Sequence, residues 1–148
     1  MELESGKMRD ALLGAWSARS AEEEIYPDGS ITYPFGAVRK ARIIYSMDGY
    51  VTAISTPAER RPIGAMLSPW SYDGATAEEV ADLVSLCVAY SGRFEVFGSA
   101  VHHRVDTAIN PLLIGQILVR EVTLEGDRLT MTGPVGEKGT FLRIHWGR

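Results

Sequence analysis

The sequence predicts an all-β domain: an eight-stranded antiparallel up-and-down barrel with one helix at about residues 76–91. Segments rich in β-branched and aromatic residues recur along the 148-residue chain, and 15 glycines and 7 prolines are spread between them. Glycine turns at this spacing suit antiparallel hairpins. Because successive hairpins connect neighbouring strands, they favour a closed barrel over a sandwich, and a barrel of this size either fills with side chains or holds one small ligand.

The turns divide the chain into eight main strands and a short extra one. We place the main strands at about 14–25, 41–47, 50–56, 93–97, 100–107, 116–124, 128–132 and 139–146, and the extra one near 30–33. A short helical turn is predicted at 7–13. In the 76–91 helix, Thr76 and Glu79 form a capping box and Gly92 marks the stop. The 57–75 segment, with three prolines and two glycines, predicts a long loop that serves as a lid or binding element.

Composition excludes several classes of protein. Hydrophobic residues are 45% and charged residues 23%, as in a single globular domain over 1–148, with 1–11 as an N-terminal extension or short helix. No apolar run approaches the ~18 residues of a membrane span, and the polar N-terminus is not a secretory signal. The net charge of −4 argues against a nucleic-acid partner. A single cysteine, Cys87, fits a reducing compartment. We therefore expect a cytoplasmic protein without nucleic-acid or membrane partners.

Cofactors and metals are not predicted either. No glycine-rich phosphate-binding pattern is present, and the three histidines lack the spacing of metal ligands. Cys87 is expected to pack on the apolar face of the helix. A homodimer through an exposed strand or through the 76–91 helix is left open.

Hairpin register predicts which polar side chains face inward. Around the Gly126-Asp127 turn, the apolar face of the hairpin also contains Arg120. Around Gly98-Ser99, His103 and Thr107 share the apolar face, and His102 lies on the other. A buried charge is rare unless it is paired or functional, so Arg120 is the most informative position.

Several different short motifs follow one another in a defined order from about residue 12 to 146. They are Leu13-Gly14-Ala15-Trp16, Tyr26-Pro27-Asp28-Gly29, Tyr33-Pro34-Phe35-Gly36, Arg42-Ile43-Ile44-Tyr45 with Asp48-Gly49-Tyr50, Tyr90-Ser91-Gly92-Arg93-Phe94-Glu95-Val96, His103 to Asn110-Pro111, and Arg120 with Leu124-Glu125-Gly126-Asp127-Arg128-Leu129. Together they resemble the lipocalin-like domain family, within the calycin group of barrels. Two departures, Val122 for the usual aromatic and Leu112-Leu113 for Asn-Trp, would reshape the cavity.

The resemblance implies a lipocalin-like barrel and small-molecule binding, and related barrels in natural-product pathways act as cofactor-free cyclases or isomerases. His103 and Arg120 match the family pattern and are the candidate catalytic and ligand-binding residues. Arg120 offers a fork of donors to a carboxylate, enol or carbonyl oxygen, and His103 can donate or accept a proton. The other predicted ligand-binding residues are Trp16, Tyr45, Phe94, Thr107, Val122 and Met131.

Structural roles for the same residues remain open. His103, Arg120 and a tyrosine could form a satisfied polar cluster that closes one end of the barrel. Trp16 could be a plug at the closed end, with Arg143 or Arg148 stacked on it. Glu22 shares the parity of Trp16 and is the one candidate carboxylate near the cavity.

The predicted function is binding of a small, largely apolar organic molecule. Its catalytic extension is a cofactor-free cyclisation, isomerisation or dehydration of a biosynthetic intermediate. The alternatives are a non-catalytic carrier and a packed barrel that interacts with other proteins.

Overall fold

Ten short strands close into one barrel in the computed structural model, which describes residues 2–65, 67–135 and 139–148. They are β1 (Gly14–Ala18), β2 (Glu23–Ile25), β3 (Ile31–Thr32), β4 (Arg39–Tyr45), β5 (Tyr50–Pro57), β6 (Val88–Phe97), β7 (Ala100–Ala108), β8 (Ile117–Glu125), β9 (Arg128–Pro134) and β10 (Phe141–Gly147). Antiparallel pairing runs β1-β4-β5-β6-β7-β8-β9-β10, and β1 also pairs with β10. Strands β1 and β2 pair one after the other with β10 and share one strand position, and β3 is a two-residue strand that pairs with β2. The barrel therefore has eight strand positions, as predicted.

The first predicted strand, 14–25, is broken by a bulge. Ala18 pairs with Trp146 and Glu23 pairs with Arg143, so five steps along the first strand lie opposite three steps along β10. The two extra residues cannot stay in the ladder. As a result, the chain leaves the sheet between β1 and β2, and Glu22 lies in this bulge.

Two helices accompany the barrel. Helix α1 (Glu2–Leu12) is longer than the predicted 7–13 segment and packs against β6. Helix α2 (Ala77–Val84) begins with the predicted Thr76–Glu79 capping box. The prediction that it continues to residue 91 is wrong, because Val88 to Gly92 pair with β5 instead. Strand pairing outweighs the helical spacing of the apolar residues there. Among the described residues, no helix is long and apolar enough to cross a membrane.

A second bulge changes the side of the sheet on which Thr107 lies. Gly92 pairs with Val105, whereas Ser91 pairs with Thr107, so Asp106 is the extra residue. Thr107 is therefore exposed and on the same outer face as Ser91, and the prediction that it points into the barrel is wrong. The hairpin register holds only as far as the bulge.

The two ends of the barrel differ. The closed end comprises α1 and the turns at 46–49, 98–99 and 126–127, above a packed core that includes Leu12, Trp16 and Val101. The open end comprises the loops 33–38, 58–76 and 109–116 together with α2. Met66 in the predicted 57–75 loop and Gly136 in the last predicted turn lie outside the described residues.

Candidate ligand site

The half of the barrel towards the open end contains a cavity of about 410 Å³. Its volume is within the range of ~300–1,000 Å³ that is typical of small-molecule pockets. Its titratable lining includes Glu22, Tyr90, His103 and Arg120, and Ser55 and Asn110 add neutral polar groups. The rest of the lining is mainly apolar and includes Phe35, Ile43, Ala53, Leu118, Met131 and Ile144. The barrel interior is therefore not filled by its own side chains.

His103 lies between two tyrosines in the cavity wall. Its Nε2 is 2.7 Å from the Tyr45 hydroxyl and its Nδ1 is 2.8 Å from the Tyr90 hydroxyl. Burial lowers the pKa of His103 to about 3, and the positive charges of Arg120 and His102 act in the same direction. The imidazole is therefore neutral at pH 7, with both ring nitrogens engaged.

The two tyrosines keep their protons at neutral pH. Burial raises the pKa of Tyr45 well above its usual value and raises that of Tyr90 to about 12. Tyr45 is 1% exposed, its ring packs edge-on against Phe94 at 4.9 Å, and its hydroxyl lies 3.9 Å from the Met131 sulfur. The cluster resembles the predicted polar cluster of His103 with a tyrosine, but it forms part of the cavity wall.

Arg120 extends from β8 into the barrel, as the hairpin register predicted. It lies opposite buried Val101, and its Nη1 donates to the Val119 carbonyl at 3.0 Å. A Cβ at Gly133 would lie 2.5 Å from the same Nη1, so this glycine leaves the space that the guanidinium occupies. Arg120 is half-buried. Its charge is therefore held beside an apolar space, where it acts more strongly than in water.

Glu22 brings a carboxyl group to the same cavity. Burial raises the pKa of Glu22, while the positive charges of Arg120 and Arg39 oppose that shift. The bulge between β1 and β2 positions Glu22 at the cavity. In the sequence, the one signal for this position is that Glu22 lies an even number of residues from Trp16, so alternation along a strand would put both side chains on one face. The cavity therefore contains a guanidinium and a carboxyl group whose pKa is raised by burial.

Arg39, which was not among the predicted site residues, connects the segments around the open end by hydrogen bonds. Its guanidinium donates to the carbonyls of Phe35 at 2.9 Å and Leu86 at 2.6 Å, and to the Ser55 hydroxyl at 2.9 Å. These bonds connect β4 and β5 to the segment after α2. Arg39 has the same parity as the inward residues Ala41 and Ile43, and that parity was the available signal.

Tyr90 was also missed, because the predicted helix included it. The motif at residues 90–96, which resembles a strand of the family, was the contrary signal. In the structure Tyr90 pairs with Ala53, which lines the cavity, and with Ala108.

The other predicted ligand-binding residues separate into two groups. Met131 lines the cavity together with His103 and Arg120, and Tyr45 lies directly behind His103. Trp16, Phe94 and Val122 are buried in the packed core and are not among the described residues that line the cavity.

Trp16 has the features of a structural plug at the closed end, which is one of the two roles that the sequence allows for it. It is fully buried, and its indole N–H donates to the Leu12 carbonyl at 2.9 Å. The Arg148 guanidinium lies 4.0 Å from the ring centroid. Arg143 instead pairs with Glu23 at 3.1 Å. Trp16 therefore connects α1, β1 and the C-terminus at the closed end.

A closed antiparallel barrel of eight strand positions with an apolar internal cavity has the architecture of lipocalins, a fold consistent with small-molecule binding. Within that class, the chain belongs to the lipocalin-like domain family, whose sequence model matches residues 13–143. The match spans nearly the whole barrel, from the residue before β1 into β10.

Solved structures similar to this chain have low sequence identity. A lipocalin-like protein from Bacteroides uniformis is 14% identical with a TM-score of 0.48, over 93% of this chain and 97% of its own. Secretory abundant heat soluble protein 4 from Ramazzottius varieornatus is 15% identical with a TM-score of 0.42, over 93% and 94%. Fatty-acid-binding protein 1 from Echinococcus granulosus is 17% identical with a TM-score of 0.41, over 93% and 98%. No curated protein matches the sequence.

Proposed function

We propose that the protein binds a small, largely apolar organic molecule in the open-end cavity, with the polar group of the molecule against Arg120. The observation that carries this proposal is a mainly apolar space of about 410 Å³ whose few polar side chains include Glu22, Tyr90, His103 and Arg120. A pocket with mostly apolar walls and a few convergent polar groups is the usual form of a small-molecule site.

The driving force and the orientation come from different parts of the wall. Apolar side chains such as Ile43, Leu118 and Met131 contribute about 25 cal/mol for each Å² of apolar surface that leaves water. Arg120 supplies several N–H donors in a fixed plane, which suits a carbonyl or carboxylate oxygen. The apolar skeleton thus provides affinity, and the oxygen determines how the molecule enters.

Binding is tested with prodan, a naphthalene that carries a dimethylamino group and a propionyl ketone and fluoresces more in apolar surroundings. Wild-type protein is expected to give a saturable increase in fluorescence. Ala53→Phe fills the cavity and is expected to abolish the increase, because Ala53 lines the space. Thr52→Phe is the matched control, since Thr52 is exposed on the outer face of the same strand. Equal binding by both variants, or no saturable binding by wild type, contradicts the proposal.

A second candidate function is catalysis of a cofactor-free isomerisation, which belongs to the predicted group of cyclisation, isomerisation and dehydration reactions. Glu22 favours it, because a buried carboxyl whose pKa is raised is a stronger base, once ionised, than a carboxylate in water. In a β,γ-unsaturated ketone, the Glu22 carboxylate would take the proton between the alkene and the carbonyl. The same proton would return at the far alkene carbon, while Arg120 stabilises the enolate oxygen.

The catalytic candidate is tested by following formation of the conjugated enone from a cyclic β,γ-unsaturated ketone by ultraviolet absorbance. Glu22→Gln is expected to remove the rate above the buffer reaction while prodan affinity stays within about twofold. A Glu23→Gln variant is the control, because Glu23 pairs with Arg143. No rate above buffer with wild type contradicts catalysis of this class and leaves the carrier function as the proposal.

A further inference from the structure

We infer that Tyr90, oriented by His103 and Tyr45, donates a hydrogen bond into the cavity and selects ligands that carry an uncharged carbonyl oxygen. This inference rests on the proposed function and specifies the ligand chemistry of the same site. It assigns His103 a positioning role and gives the contact with the ligand to Tyr90.

The neutral imidazole limits the hydrogen-bond arrangement to two forms. One ring nitrogen of a neutral histidine carries a proton and donates, and the other accepts. Because Nε2 faces the Tyr45 hydroxyl and Nδ1 faces the Tyr90 hydroxyl, one tyrosine must donate to the ring and the other must accept from it. In each tautomer of His103, one tyrosine donates its hydroxyl proton to the ring and the other tyrosine keeps its proton for another acceptor. Which tyrosine keeps its proton depends on the tautomer.

The surroundings of Tyr45 favour the tautomer with the proton on Nδ1. If Nε2 carried the proton, the Tyr45 hydroxyl would accept it, and among the described residues its own proton would have only the Met131 sulfur at 3.9 Å as a partner. Tyr45 is 1% exposed, and a thioether is a weak acceptor. With the proton on Nδ1, Tyr45 donates to Nε2 over 2.7 Å and its hydrogen bonding is satisfied.

In that arrangement the Tyr90 hydroxyl accepts from Nδ1 and keeps its own proton for the cavity. Tyr90 lines the cavity, and among the described residues its hydroxyl has His103 as its only hydrogen-bond partner. Its pKa of about 12 keeps the proton in place at neutral pH. Tyr90 is therefore a fixed donor at the wall, and a ligand must offer an acceptor to match it.

Charge in the cavity favours an uncharged acceptor over a carboxylate. Arg120 and Glu22 line the same space, where the positive charge of Arg120 opposes the rise that burial causes in the pKa of Glu22, so a carboxyl group already accompanies the guanidinium there. A ligand carboxylate would add a second negative charge near Glu22 in apolar surroundings. A ketone or ester carbonyl accepts from Tyr90 and Arg120 without that cost.

The donor is tested with prodan and with a dimethylaminonaphthalene that carries a propyl group in place of the propionyl group, so that the two probes differ only in the carbonyl. Wild type is expected to bind prodan about five- to tenfold more tightly than this dimethylaminonaphthalene, which is the range of one hydrogen bond. Tyr90→Phe is expected to reduce this preference to the part that Arg120 supplies, without weakening the binding of the dimethylaminonaphthalene. The inference is overturned if Tyr90→Phe retains the full preference, or if the corresponding dimethylamino naphthoate binds wild type more tightly than prodan.

The positioning role is tested at Tyr45, which lies behind His103. Tyr45→Phe removes the donor to Nε2, so both tautomers become comparable and the prodan preference is expected to fall. Phe94→Leu is the control, because it changes the packing against the Tyr45 ring and leaves the hydrogen bonds in place. Heteronuclear NMR of the His103 side chain in the unliganded protein is expected to show the proton on Nδ1 in wild type.

The outcomes separate the two proposals. A proton on Nε2 in wild type overturns the inference, whether or not any probe binds. Failure of both probes to bind contradicts the proposed function itself. Equal binding of both probes by wild type contradicts the inference alone.

Discussion

Two tryptophans show how the ends of this barrel differ. Trp16 at the closed end is 0% exposed, with its indole N–H bonded to Leu12 and Arg148 stacked on its ring. Trp70, in the long loop of the open end, is 93% exposed. One side chain lies where helix, strand and terminus meet, and the other contributes almost nothing to the packed core.

The two helices are attached to the barrel to different extents. At the closed end, Arg9 donates to the Met47 carbonyl, and the Gly98 amide donates to the Ser5 hydroxyl. These bonds attach α1 to two hairpin turns. At the open end, α2 has no buried residue. The barrel therefore concentrates its stability at one end and leaves the other able to open locally, as ligand-binding segments usually are.

Trp16→Ala is the change with the largest expected effect on this comparison. Removing a fully buried tryptophan costs about 3–5 kcal/mol, since the transfer energy is lost and a cavity remains. Urea unfolding followed by circular dichroism measures this loss in the free energy of unfolding. A loss below about 1 kcal/mol would mean that the closed end does not dominate the stability.

Acidification tests the burial of His103 in the cavity wall. The pKa of His103 is about 3 in the folded protein and near 6.5 in the unfolded chain. Below pH 6.5 the unfolded chain binds a proton that the folded protein does not. The free energy of unfolding is therefore expected to fall between pH 6.5 and 3, by at most about 1.4 kcal/mol per pH unit from this group.

His103→Gln is the control for the acid effect, because glutamine does not titrate. The groups that face or act on His103 are Tyr45, Tyr90, Arg120 and His102. Glu22 works in the opposite direction, since its raised pKa favours the folded protein as it becomes protonated. The variant is expected to lose less stability than wild type over the same pH range. An equal decrease of the free energy of unfolding per pH unit in both proteins would contradict the assignment of the acid effect to His103.

Gly133→Ala is expected to affect the ligand site more than the fold. The new Cβ would overlap the end of the Arg120 side chain, which can move. The free energy of unfolding should fall by no more than about 1 kcal/mol, while prodan affinity decreases as the guanidinium is displaced. Titration and urea unfolding of the same sample measure both. Unchanged affinity would show that the position of Arg120 does not matter for this ligand.

Trp70→Ala is expected to have the smallest effect and serves as the counterpart of Trp16→Ala. Because the side chain is 93% exposed, the change in the free energy of unfolding should stay within about 0.5 kcal/mol. A loss comparable to that of Trp16→Ala would remove the contrast between the two ends.

The sequence predicts the barrel and two site residues because short turns determine register over a few residues on each side. Arg120 lies six residues before Gly126, and His103 lies four residues after Ser99, and no bulge intervenes. Thr107 lies beyond the bulge at Asp106, where alternation no longer applies. Local patterns thus predict side-chain direction only within an unbroken ladder.

The missed residues depend on long-range structure. Tyr90 belongs to a segment whose apolar spacing also fits a helix, and pairing with β5 decides in favour of a strand. Glu22 enters the cavity through a two-residue bulge that nothing in the local sequence marks. The Tyr45–His103–Tyr90 cluster joins three strands, so only the closed barrel brings it together.

The most direct test of ligand binding at the open end is an NMR titration of the three tryptophan indole N–H signals with prodan. Trp146 lines the cavity, and its buried indole N–H has no hydrogen-bond partner among the described residues. Trp16 lies in the packed core, and Trp70 lies outside the barrel. The Trp146 signal is expected to shift and saturate, while those of Trp16 and Trp70 stay in place. A saturable shift at Trp16 or Trp70 with Trp146 unchanged would contradict a ligand site in this cavity.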